Sequence, residues 1–77
     1  MLNIVYVNCE GRHVEAQWKT VTEFISEMES DNIDIPMLDD YISTVDCDEY
    51  EELDNKNYED FYTVNELLEC AKELTTR

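Results

Sequence analysis

Two stretches of this chain share one pattern, Thr-Val-x-Glu-apolar-apolar, at residues 20–25 and again at 63–68. In each, Thr and the Glu three residues later have the spacing of a capping box. The hydroxyl takes an amide of the first helical turn, and the carboxylate reaches back to an earlier one. An apolar stripe follows each start. Val21, Phe24, Ile25 and Met28 fall at i, i+3, i+4 and i+7, while Thr22, Ser26, Glu27 and Glu29 fall opposite. Val64, Leu67, Leu68, Ala71 and Leu74 form the second stripe. The spacing predicts helices over 20–30 and 63–75, each with one apolar face. The shared pattern reads as the physics of helix starts, with an internal duplication as the alternative. A one-faced helix needs a surface to bury against, so the rest of the chain must supply that surface.

The opening residues meet this need as strands. Leu2 to Val7 is rich in β-formers, and Glu10-Gly11 reads as a two-residue turn in which Gly11 is free to take positive φ. That turn sets a hairpin over 2–18, with Val7 facing Val14, Val5 facing Ala16 and Asn3 opposite Trp18. Val5, Val7, Val14, Ala16 and Trp18 would then share the core face. Ile4 and Tyr6 would lie on the other face beside Glu15 and Gln17. A two-stranded hairpin is marginal alone, so a third strand is expected.

The third strand is sought in the acidic region 31–61. Tyr41, Ser43, Val45 and Cys47 alternate with Ile42 and Thr44 in a β-prone run. A helix is the competing reading, since Pro36, Asp39 and Asp40 resemble a helix start with Leu38, Tyr41, Ile42 and Val45 on one face. The strand is preferred. Asp54 to Asn57 reads as a turn, and Tyr58 to Tyr62 as a short extended lead into the last helix. The expectation is one α+β domain spanning residues 1–77, ordered β-β-α-β-α, with an antiparallel sheet packed against two helices. A chain of 77 residues supports one domain at most, and its core leaves little surplus over chain entropy.

Charge excludes several functions. Twenty acids against five bases give a net charge of −15. Residues 31–60 carry twelve of the acids and a single lysine, Lys56. Affinity for nucleic acid comes mainly from Lys and Arg neutralising phosphates, so direct nucleic-acid binding is not expected. Anionic membrane surfaces are disfavoured for the same reason. A basic protein surface is the partner this balance favours, through fast, salt-sensitive association. Cys9, Cys47 and Cys70 are odd in number and lack CxxC spacing, which suits a reducing compartment. The opening residues have neither a basic n-region nor a long apolar run, so a cytoplasmic location is expected.

The stretch "DCDEYEELDNKNYED", residues 46–60, holds eight carboxylates and one lysine. Asp46, Asp48 and Tyr50 imitate the start of a calcium loop. The loop then needs Gly at its sixth position and Glu at its twelfth; here these are Glu51 and Asn57, so no calcium site is expected. Three scattered cysteines and His13 have no zinc-ligand spacing. His13 is the one histidine and falls on the hairpin face opposite the core, away from any nucleophile–base pairing. There is no phosphate-binding glycine loop. No metal, no cofactor and no catalytic residue is expected, and the chain reads as non-enzymatic.

What remains is acids mixed with aromatics: Tyr41, Tyr50, Tyr58, Phe61 and Tyr62. Solvating linkers are poor in aromatics, whereas interfaces are rich in Tyr. Carboxylates two apart on an extended chain would lie about 6.6 Å apart, comparable with phosphate spacing along a nucleic-acid strand. The alternative is that the aromatics are core and the acids their solvated neighbours.

In size, charge and layout the chain resembles the small acidic proteins of phages and mobile elements that inhibit bacterial defence systems, such as anti-CRISPR and DNA-mimic anti-restriction proteins. "DCDEYEELDNKNYED" and the pair of capped helices carry that resemblance. It is one of class, so it implies an inhibitory, nucleic-acid-mimicking role but assigns no residues. The opening hairpin and helix are also similar to a β-grasp start, from which the C-terminal capped helix departs. The resulting expectation is an acidic inhibitor that enters a partner's nucleic-acid groove. Its contacts would be Asp46, Asp48, Glu49, Glu51, Glu52, Asp54, Glu59 and Asp60, with Tyr50 and Tyr58 as anchors. The competing expectation is a small structural subunit or homodimer.

Overall fold

A computed structural model of the chain describes residues 1–29 and 36–76. Ser30, which closes the first expected helix, and residues 31–35, which begin the expected acidic region, lie outside the described residues. The elements are β1 (Leu2–Val7), β2 (His13–Trp18), α1 (Val21–Met28), β3 (Tyr41–Cys47), β4 (Lys56–Asn57) and α2 (Val64–Thr75). Short 3₁₀ turns occupy Pro36–Asp39 and Glu51–Leu53. The strands form one antiparallel sheet in the order β2-β1-β3-β4. This is the expected α+β domain with a fourth, two-residue strand added. Of the competing readings of residues 36–47, the strand holds from Tyr41. The helix signal at Pro36 yields only the 3₁₀ turn.

Both helices begin where the capping pattern places them. Thr20 Oγ1 accepts the Glu23 amide at 3.1 Å, and Thr63 Oγ1 accepts the Glu66 amide at 3.4 Å. The reciprocal carboxylates reach one residue further back than a standard box requires. Glu23 Oε2 takes the Lys19 amide at 3.3 Å, and Glu66 Oε2 takes the Tyr62 amide at 2.7 Å. Each hydroxyl thus satisfies one amide of the first turn, and each carboxylate ties down the residue before the cap. Val21, Phe24 and Met28 of α1 and Val64, Leu67, Leu68, Ala71 and Leu74 of α2 are buried. Lys72 Nζ on α2 lies 2.9 Å from Glu29 Oε1 just past α1, tying the two helices together at the surface.

The hairpin register differs from the expectation by one residue. The observed pairs are Leu2↔Trp18, Ile4↔Ala16, Tyr6↔Val14 and Val7↔His13. Asn8 is the reason. Its Oδ1 takes the amides of Glu10 at 2.9 Å and Arg12 at 3.0 Å, while its backbone bonds the Arg12 carbonyl and the Gly11 amide. These bonds close a loop over residues 8–12 in place of the two-residue turn, with Gly11 at φ 81, a value costly for a side chain with a Cβ. Because side chains alternate, a one-residue shift turns one strand over relative to its partner. Val14, Ala16 and Trp18 keep the core face. On β1 the core residues are Leu2, Ile4 and Tyr6, not Val5 and Val7, and Leu2 and Ile4 are fully buried.

A bulge in β3 completes the sheet. Val5 pairs with Thr44, but Tyr6 pairs with Ile42, so Ser43 is the extra residue. Simple alternation would put Ile42 and Val45 on opposite faces. With Ser43 inserted, Ile42, Val45 and Cys47 all point to the core, and Tyr41 points away from it.

One cluster joins these strand residues to both helical stripes, with Leu53 and Phe61 from the segment before α2. Trp18 lies against its margin, edge-on to Phe24 with ring centroids 4.8 Å apart, and its indole N–H donates to Glu27. Both helices therefore cover the same face of the sheet. The opposite face carries Asn3, Val5 and Val7 of β1, His13, Glu15 and Gln17 of β2, and Tyr41, Thr44 and Asp46 of β3, none of them buried.

Candidate functional site

The acidic stretch 46–60 is neither an extended ladder nor a free linker. It leaves β3 at Cys47, turns through Glu51–Leu53, pairs briefly as β4 and turns again before α2. The regular carboxylate spacing of an extended chain is therefore absent. Leu53, fully buried, pins the first turn, and Phe61 pins the end of the stretch.

Several of its acids, among them Asp48, Glu49, Asp54 and Asp60, hold the stretch in place. Asp48 accepts from the Met1 amine, whose nitrogen also lies 3.6 Å from Glu49 Oε1. That hydrogen bond raises the amine pKa above its ordinary value and holds the Asp48 carboxyl below its own. Glu49 Oε1 accepts the Val21 amide at 3.1 Å, so an acid from the loop occupies the positive end of α1. Asp54 Oδ1 accepts the Cys47 amide at 3.0 Å. Asp60 Oδ2 accepts the Asn57 amide at 3.3 Å, while Asn57 Oδ1 takes that of Glu59 at 2.8 Å. Asn55, at φ 58, makes the tight corner that lets β4 return along β3.

The remaining expected contacts divide by exposure. Asp46, Glu51, Glu52 and Glu59 are exposed, and Tyr58 is 60% exposed. Tyr50 is half-buried and packs against the core, with its amide donating to Cys47 Sγ at 3.4 Å. Phe61 is core. The structure thus brings Asp46, Asp48 and Asp54 to one end of the sheet, where they line a hollow of about 240 Å³ with Met1, Asn3 and Cys47. Asn3 Oδ1 is buried and has no hydrogen-bond partner among the described residues. Glu59 and Tyr58 belong to the next turn.

Sequence reasoning named Tyr50 and Tyr58 as anchors and did not single out Tyr41 and Tyr62. These two rings pack against each other at a centroid distance of 4.8 Å with planes tilted by 53°, and they remain 50% and 55% exposed. Their backbones are fixed. Tyr41 bridges to Thr63, the Ile42 amide donates to the Tyr62 carbonyl at 3.1 Å, and the Val64 amide donates to the Asp40 carbonyl at 3.0 Å. A hydrogen bond to Tyr41 holds the Tyr62 phenol above its ordinary pKa. Val7 pairs with Tyr41 across the uncovered sheet face, with His13 beyond it. The signal for this pair was the two tyrosines themselves; the bulge that exposes Tyr41 left no mark in the alternation.

Cys9 is exposed, Cys47 buried and Cys70 half-buried, and no disulfide joins them. Among the described residues, no group of three His, Cys, Asp or Glu side chains is placed to hold a metal ion. No helix among them is long and apolar enough to cross a membrane. Compared with models of known protein families, with curated proteins and with solved structures, the chain matches none.

Proposed function

We propose that this chain is a non-enzymatic acidic binding protein that occupies a basic, nucleic-acid-binding groove of another protein and thereby inhibits it. One observation carries the reading. The acidic segment is held to the scaffold by its own carboxylates, through Glu49 on α1 and Asp54 on β3, while Asp46, Glu51, Glu52, Glu59 and Tyr58 remain exposed. A preorganised surface loses less entropy on binding than a free acidic tail would. The exposed acids supply on-rate and orientation, and the tyrosines slow dissociation.

The test is affinity capture from a bacterial lysate with and without competitor DNA or RNA. The partner is expected to be displaced by the competitor and by salt. The variant D46N/E51Q/E52Q/E59Q is expected to lose most of the capture. If it retains the same partner with the same salt dependence, the mechanism is wrong.

A second reading is self-association as a small structural subunit. It is favoured by β2, a six-residue edge strand with no strand on its outer side among the described residues. Repulsion between two copies at −15 each opposes it. Light scattering over a range of salt separates the two: a salt-insensitive dimer supports the subunit, a monomer the binding protein.

A further inference from the structure

We propose that the Tyr41–Tyr62 pair is a seat for an arginine side chain of the partner, selecting guanidinium over ammonium. The inference rests on the reading of a cationic partner and adds where, and with which side chain, that partner is read.

Three features meet at the pair. The first is exposed aromatic surface: each ring is about half open, although the two rings already lie against one another. The second is rigidity. The bridge at Tyr41–Thr63 and the two flanking backbone hydrogen bonds fix the backbone at both tyrosines, and each ring lies against the other. The third is acid close by, Glu66 through a hydrogen bond and others through the chain. Glu66 is anchored to the Tyr62 amide and is itself exposed. Asp39 and Asp40 directly precede Tyr41, and Glu59 and Asp60 lie shortly before Tyr62.

This combination suits arginine better than lysine. A guanidinium is planar and weakly hydrated, so it can lie on a tyrosine face while its N–H groups point in plane at carboxylates. An ammonium is compact and strongly hydrated, and satisfies the carboxylates without needing the rings. The site also lies apart from the hollow at Asp46, Asp48 and Asp54. Tyr41 opposes Val7 at one end of β1, whereas Asp46 opposes Asn3 towards the other.

The experiment titrates isotopically labelled protein with hexa-arginine and hexa-lysine peptides at low salt, following tyrosine ring and backbone resonances. The arginine peptide is expected to move the ring signals of Tyr41 and Tyr62 and to bind several-fold tighter than the lysine peptide. One seated arginine at an exposed site corresponds to about two- to fivefold. Y62L is expected to lose that excess, while Y41F/Y62F, which keeps both rings, retains it. The proposal is overturned if the two peptides bind equally well, if the excess survives in Y62L, or if shifts concentrate at 46–54 and leave the rings unmoved. In each of those outcomes the acidic-surface reading survives, because cations still bind. If neither peptide binds at low salt, both readings fall together.

Discussion

Asp54 is the residue at which the acidic stretch and the sheet most clearly depend on one another. Thr44 pairs with Asn57 and Val45 with Lys56. Continuing that register would set Cys47 opposite Asp54, but β4 begins only at Lys56. The Cys47 amide would have no carbonyl partner there, and Asp54 Oδ1 takes the place of one at 3.0 Å. D54A removes the acceptor and leaves a part-buried amide unpaired. Hydrogen bonds to charged groups contribute about 1.5–3 kcal/mol and neutral ones about 0.5–1.5 kcal/mol. D54A is therefore expected to lose about 2 kcal/mol, and D54N, whose amide oxygen can still accept, about half of that. In a domain of this size each kcal/mol moves Tm by roughly 4–8 °C. The expected fall is on the order of 10 °C for D54A and about 5 °C for D54N. Both variants remove the same charge, so relief of self-repulsion cancels in the comparison. Thermal unfolding followed by circular dichroism reads the difference, and amide exchange at Cys47 locates it. Equal melting of D54A and D54N, or an unchanged exchange rate at Cys47, would refute the assigned role.

Two further predictions address the register and the amine. I4A, at a fully buried position, is expected to cost about 2–5 kcal/mol, whereas V5A, on the uncovered face, should cost under about 1 kcal/mol; the reverse order in urea unfolding would restore the two-residue-turn register. The Met1 amine and Asp48 are linked by a hydrogen bond that raises the amine pKa and lowers that of the carboxyl. Their contribution to stability should be full between the unfolded-state values, roughly pH 4 and pH 8. It should decline as pH falls through the depressed carboxyl value and as pH rises through the elevated amine value. Both groups are exposed, so the effect is small, and it is read as the difference in urea midpoint between the wild type and D48N across pH. A difference that does not change with pH would show that the pair contributes nothing.

Some of this protein follows from local sequence alone. Thr20 and Thr63 mark helix starts because a cap hydroxyl takes the amide three residues on, whichever earlier amide the carboxylate then meets. The stripes behind them follow from the helical period, and every residue of the α2 stripe is buried. The charge, and its concentration in 31–60, is likewise a property of the chain. Three further features depend on contacts that only the folded chain makes. The hairpin register depends on Asn8 bonding two amides across its loop, a choice that Glu10-Gly11 did not reveal. The face of β3 depends on the Ser43 bulge, which lets Ile42 and Val45 both reach the core. The fate of each acid depends on which amides fold within its reach: Glu49 meets α1, Asp54 meets Cys47, and Glu51 and Glu59 stay exposed. Local pattern records what a residue prefers beside its chain neighbours. Which face it shows, and whether its charge is already engaged, is decided only when strands and helices close on a common core, because alternation by two and by 3.6 leaves the phase open until a partner sets it.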